Sequence, residues 1–370
     1  MTNADALFKP ITIRGLTIPN RIVMAPMTRS FSPGGVPGGD VAAYYARRAA
    51  ADVGLIISEG TVVARGGASN DPNIPRFHGE DALSGWKAVI DRVHDVGGLM
   101  APQIWHQGMV RKPGTGHYPD APSDSPSGVT HAGKKVAEAP TEEEVWDLVR
   151  AYAVAAGEAA RMGFDAVEVH GAHGYLIDQF FWDAMNLRQD RYGGALPERA
   201  TFAAEILKEC RKEMGADGPL ILRFSQWKQQ DYAARLAPTP QALEAFLRPF
   251  VDAGVDVLHA SQRRFWEPEF PEVDGPEGLN LAGWVKRLTG LPVITVGSVG
   301  LSSDFLGAFR GESSSAARLD SLIERLERGE FDLVAVGRAL LQDPDWASKV
   351  RDGRLDELRD YDAAALATLY

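Results

Sequence analysis

Residues 167–175 of the chain read VEVHGAHGY. A short β-branched run ends in two histidines three apart, His170 and His173, and Tyr175 follows at once. Three proton-donating side chains are costly to sink into a core without partners. They suit a site that must hold a carbonyl oxygen and deliver a proton. Two imidazole N–H groups can stabilise an oxyanion as it develops, and a phenol can supply the proton. Two other readings stay open at this level. A shared metal is one, but zinc needs a third ligand. Glu168 is read as out of alternation with His170, which leaves His106 or His259 to serve. The other is a pair of hydrogen-bonded structural histidines. No metal is expected.

Such a site needs strands to carry it. Eight short apolar runs recur along the chain, at residues 21–26, 54–58, 99–105, 166–170, 220–224, 255–259, 292–296 and 332–336. Continuous rather than alternating apolar runs indicate strands buried on both faces of a parallel sheet. The segments between them read as helices. Thr141 and Glu144 form a capping box and Gly163 stops that helix; Thr239 and Pro240 open another; residues 197–214 repeat apolar positions at helical spacing and end at Gly215. Eight strand–helix units predict a (β/α)8 TIM barrel, read as a single domain over residues 1–370. A doubly wound sheet is the alternative, but no glycine-rich turn follows the first strand. Residues 8–19 are predicted to form a hairpin across the barrel bottom. Residues 107–140, rich in Gly, Pro and Ser, make an extended loop on the catalytic face, functional or mobile by its length. Residues 302–329 read as a polar insertion, helical in its second half.

A barrel of this kind places its active site at the C-terminal strand ends. Those ends carry Pro26, Met27 and Thr28; Gly60; Gln103 and Trp105; His170, His173 and Tyr175; Arg223; His259; Gly297 and Ser298; Gly337 and Arg338. Glycines after the seventh and eighth strands, with Arg338 able to fork onto oxygen, predict a phosphate site. Phe265 and Trp266 are read either as an aromatic wall over a substrate or as a loop anchor. Arg263 and Arg264 are read as solvated loop charge, with contact to a nucleotide phosphate as the alternative, and residues 142–144 as acidic residues at a helix N-terminus.

Bulk properties exclude several classes. Hydrophobic content is 45 %, charged content 24 % and formal net charge −11, a balance that argues against a nucleic-acid footprint. The single cysteine, Cys210, falls in a helical pattern and leaves no partner for an internal disulfide or a cysteine-built cluster. No apolar run reaches membrane-spanning length, and a cytoplasmic setting is the expectation.

Taken together, residues 20–29 (NRIVMAPMTR), 54–61 (GLIISEGT), 103–108 (QIWHQG), 163–180 (GFDAVEVHGAHGYLIDQF), 190–194 (DRYGG) and 336–341 (VGRALL) resemble the Old Yellow Enzyme family, in order and from about residue 8 to 346. The resemblance implies FMN as cofactor and NADPH or NADH as reductant. It implies that His170 and His173 hold a substrate carbonyl oxygen and that Tyr175 protonates the α-carbon. Thr28 would lie near the flavin C4 carbonyl, Gln103 at the pyrimidine edge and Arg223 by N1. Pro26, Met27 and Gly60 would surround the ring, Gly297, Ser298, Gly337 and Arg338 would hold the phosphate, and Trp105 would orient the substrate. The implied partner is a small α,β-unsaturated carbonyl or nitro compound, acted on by a monomer or homodimer. A flavin-free barrel lyase or isomerase is the rival; it would need a catalytic lysine or paired carboxylates, and no strand end is read as carrying a lysine.

Overall fold

The computed structural model describes residues 4–302, 314–316 and 319–370. An antiparallel hairpin, β1 (Ile11–Ile13) and β2 (Leu16–Ile18), comes first. Eight parallel strands follow: β3 (Ile22–Met24), β4 (Leu55–Val62), β5 (Met100–Trp105), β6 (Val167–His173), β7 (Leu220–Lys228), β8 (Val257–Ser261), β9 (Val293–Val296) and β10 (Leu333–Val336). Each neighbours the next in sequence, and β10 pairs with β3 to close the ring. The chain is a (β/α)8 barrel. Every predicted apolar run coincides with or overlaps one of these strands.

Local chemistry sets the helices. Thr141 Oγ1 accepts from Glu144 N at 3.2 Å, and the Glu144 carboxylate accepts from Thr141 N at 2.7 Å. Both satisfy amides the first turn leaves without partners. Gly163 ends that helix, Glu142–Met162, in the left-handed conformation. Thr239 caps Pro240–Asp252 by accepting the Ala242 N–H, with proline in the first turn. The segment predicted as one helix over 197–214 is two, Leu196–Arg199 and Thr201–Met214. The break falls where the Thr201 hydroxyl bonds the Glu198 carbonyl at 2.6 Å, taking an acceptor in the turn between the two helices. Cys210 is buried in the second piece, and burial pushes its thiol pKa up.

The hairpin closes the barrel bottom as expected. Ile13 and Ile18 pack with Leu55, Ala166, Ile221, Val257 and Leu333, the first residues of the strands and their neighbours. Above them the barrel interior turns polar. The long loop at residues 107–140 is held by cations on its carbonyls. Buried Arg111 donates to Ala121 O at 2.8 Å, Thr115 O at 2.8 Å and Tyr118 O at 2.7 Å; Arg188 reaches Pro126 O and Pro140 O. The second half of the 302–329 insertion is a helix, Asp320–Glu327; part of its first half lies outside the described residues. Among the described residues, no helix is long and apolar enough to cross a membrane.

Candidate active site

The C-terminal strand ends surround a cavity of about 590 Å³, within the roughly 300–1,000 Å³ usual for cofactor-sized ligands. Pro26, Met27 and Thr28 line it after β3, Gln103 and Trp105 on β5, and His170, His173 and Tyr175 on and after β6. Arg223 on β7, Gly297 and Ser298 after β9, and Gly337 and Arg338 after β10 also line it.

The two histidines are neutral donors. His170 Nδ1 accepts from the Ala172 amide at 3.3 Å, which leaves its proton on Nε2. His173 Nε2 lies 2.7 Å from Ser261 Oγ, and Arg223 Nη2 lies 3.4 Å from the same hydroxyl. Burial, reinforced by the Arg223 charge, holds both imidazole pKa values well below the usual histidine range. Burial raises the Tyr175 pKa, and a hydrogen bond donated by Gln229 Nε2 to its hydroxyl at 3.1 Å opposes that rise. The phenol therefore keeps its own proton at neutral pH. The rings frame one another: His170 lies 5.3 Å from His173 and 5.1 Å from Tyr175 between centroids, both edge-on. Trp105 stacks on His170 and meets Tyr175 edge-on, and Trp227 stacks on His173.

Beside this cluster lies a second, which reaches the cavity through Gln103 and Arg223. Gln103 Nε2 donates to Glu168 Oε1 at 2.7 Å, and His259 Nδ1 lies 2.6 Å from Glu168 Oε2. Arg223, opposite both His170 and His259 in the sheet, has a buried Nε with no partner. Gln103 spends its amide nitrogen on Glu168, so its carbonyl oxygen is left as an acceptor. A flavin pyrimidine edge presents an N–H donor and a site where negative charge gathers. An acceptor and an unsatisfied cation fit that edge. At the other end, Gly297 has φ +143°, and a Cβ there would sit 2.8 Å from the Gln262 carbonyl. Bare backbone at this point suits a phosphate.

Four expectations need correction. Gly60 does not line the cavity; a Cβ on it would lie 2.4 Å from Trp105 Cε3, so it acts by making room for that ring. Phe265 and Trp266 form no wall. Phe265 is 3 % exposed within the core, Trp266 packs against that core, and neither lines the cavity. The Phe265 backbone is tied to Gly297 O and to Asn280, which commits its side chain inward. Glu168 and His170 stand two apart on one strand and so share a face. Glu168 is nonetheless occupied by Gln103 and His259. Finally, β7 runs on to a lysine, Lys228, but it is wholly buried against Asp178 and does not line the cavity.

Sequence reasoning missed Trp227, Gln229 and Ser261, which line the cavity from β7 and β8. Tyr361 and Leu366, near the C-terminus, also line it. None sits in a motif with diagnostic spacing; only the polar continuation of the 220–224 run hinted at the first two.

The fold and this site define a flavin-dependent barrel oxidoreductase. Residues 6–357 match the model of the NADH:flavin oxidoreductase / NADH oxidase family. The chain is 31 % identical to 12-oxophytodienoate reductase 7 of Oryza sativa subsp. japonica, over 93 % of this chain and 87 % of that protein. It is 32 % identical to NADH oxidase of Thermoanaerobacter brockii, over 97 % of this chain and 52 % of the relative. The structure of morphinone reductase in complex with tetrahydroNAD superimposes with a TM-score of 0.79 at 26 % identity, covering 97 % and 93 % of the two chains. The chain belongs to this family, the Old Yellow Enzymes. It is an FMN-dependent oxidoreductase that draws its electrons from a nicotinamide nucleotide.

Proposed function

We propose that the protein is a cytoplasmic ene-reductase that saturates C=C bonds conjugated to a carbonyl or nitro group, with residues 1–370 acting as one flavin-binding unit. The observation that carries this is the meeting of two neutral imidazoles and one protonated phenol on the cavity that also holds Gln103 and Arg223. FMN, when bound, would supply the hydride chemistry that links NAD(P)H to the β-carbon of the activated alkene. Gln103 and Arg223 would hold its pyrimidine edge, Thr28 its C4 side, Pro26 and Met27 the ring, and Gly297, Ser298, Gly337 and Arg338 its phosphate.

The chain's own residues do the rest. His170 and His173 donate to the substrate oxygen and draw electron density from the conjugated system. Tyr175 delivers the proton to the α-carbon, a contribution of about 100-fold or more. Trp105 orients the substrate against His170. Gln229, by donating to the phenol oxygen, leaves the Tyr175 proton free to leave.

The anaerobic visible spectrum tests this. Flavin absorbance is expected to bleach with NADPH and return with 2-cyclohexenone. Bleaching without return would remove enones from the substrate class. In Tyr175→Phe the bleaching should be unchanged and the return slowed; equal slowing of both steps would sink the proton-donor role.

A further inference from the structure

A wholly buried ion pair stands behind the active-site turn. Lys228 and Asp178 are both 0 % exposed, and Nζ and Oδ1 lie 2.7 Å apart. Such a pair is a poor stabiliser, because desolvation of two charges offsets most of their attraction. Its other contacts show what it holds. Asp178 Oδ2 accepts the backbone N–H of Gly174 at 2.7 Å, and Gly174 stands between His173 and Tyr175. Lys228 Nζ also donates to Gln226 O at 3.3 Å and Ser225 O at 3.4 Å. Ser225 Oγ in turn accepts the His173 N–H at 2.9 Å. The pair thus bolts the end of β6 to the end of β7. The register slips there between Gly171 and His173, and His173 faces Lys228.

That turn closes on one long bond of its own, Tyr175 N to Ala172 O at 3.3 Å; Gln179 Nε2 holds the Gly174 carbonyl at 2.8 Å, and Asp178 alone takes the Gly174 N–H. His173 has φ 65° and Gly174 φ 78°, two consecutive left-handed residues. A residue with a side chain resists this conformation unless its surroundings impose it. His173 and Tyr175 flank this reversal, and both rings lie against His170.

We propose that the Lys228–Asp178 pair is a positioning device of the active site, fixing Gly174 so that the His173 imidazole and the Tyr175 proton keep their separation. Neither residue lines the cavity, so both act through the turn. The inference rests on the roles given above to His173 and Tyr175.

The test uses FMN-loaded enzyme and two readouts. Affinity for cyclohexanone, followed by perturbation of the flavin spectrum, reports the histidines alone. Re-oxidation by 2-cyclohexenone reports histidines and proton together. Asp178→Asn keeps an acceptor for Gly174 but strands the lysine charge. It is expected to weaken cyclohexanone binding and slow re-oxidation, each about tenfold. Asp178→Asn with Lys228→Met, neutral and still able to accept from Gly174, should recover most of both. Asp178→Leu with Lys228→Met, equally neutral but without the acceptor, should not; this contrast stands even where the single variant fails to fold. A lowered Tm with both readouts unchanged per flavin-loaded molecule in every variant overturns the proposal. If Tyr175→Phe leaves re-oxidation untouched, the proton-donor reading fails by itself. Cyclohexanone binding then decides the pair: weakened binding in the acceptor-less variant supports it through His173, and unchanged binding overturns it.

Discussion

The two ends of this barrel are built from the same eight strands and hold opposite kinds of interior. At the hairpin end, Ile13, Ile18, Leu55, Ile221, Val257 and Leu333 form a dry cluster in which any side chain of similar volume could serve. At the other end, Gln103, Glu168, His170, Arg223, His259 and Ser261 are buried together, linked in part by hydrogen bonds. There Gln103, Glu168 and His259 are committed to one another, and removing one leaves another buried without that partner. The contrast separates what stabilises the fold from what poises the chemistry, and it can be broken from either end.

The largest effect is expected from Arg223→Met. Losing the buried cation from the polar end should slow bleaching by NADPH about 100-fold in anaerobic stopped flow, with weaker retention of FMN. Bleaching at the parent rate would show that the polar end is structural after all. Ile221→Ala, on the same strand two residues away, should do the reverse. It should cost about 2–4 kcal/mol of stability in denaturant unfolding and leave the rate per flavin-loaded molecule within about twofold, because it belongs to the dry cluster. A matching loss of rate would mean that the two ends are coupled.

The smallest effect concerns Glu59, buried on β4. Burial raises its pKa to about 7, against the amides of Arg29 and Ser30 that its carboxylate accepts. The folded state thus favours the protonated form, while the unfolded chain ionises near 4.5. Stability present below the unfolded value is lost as pH rises through about 7. Melting temperature should therefore fall more between pH 5 and pH 8 in the parent than in Glu59→Gln. Parallel curves for the two proteins would remove Glu59 from the account.

The same contrast explains what could be read in the sequence. All eight strands were legible because their lower halves are continuous apolar runs. The upper limits of β5, β9 and β10 were legible too, but those of β4, β6, β7 and β8 were not. β4 continues through Glu59 to Val62 and β7 through Gln226 to Lys228, so the apolar signal stops where the strand enters the polar end. His170, His173 and Tyr175 stood out because one strand end carries all three. Ser261 and Gln229 reach the same histidine and tyrosine from 88 and 54 residues away, a meeting that only barrel closure creates. Phe265 misled because an aromatic residue after a strand looks the same whether its ring turns out over a cavity or back into the core.

The hairpin carries a consequence for traffic. With β1 and β2 across one end, the cavity lies at the opposite, C-terminal strand ends. Under the proposed function nicotinamide and substrate would take turns in that one cavity, and an excess of either would obstruct the other.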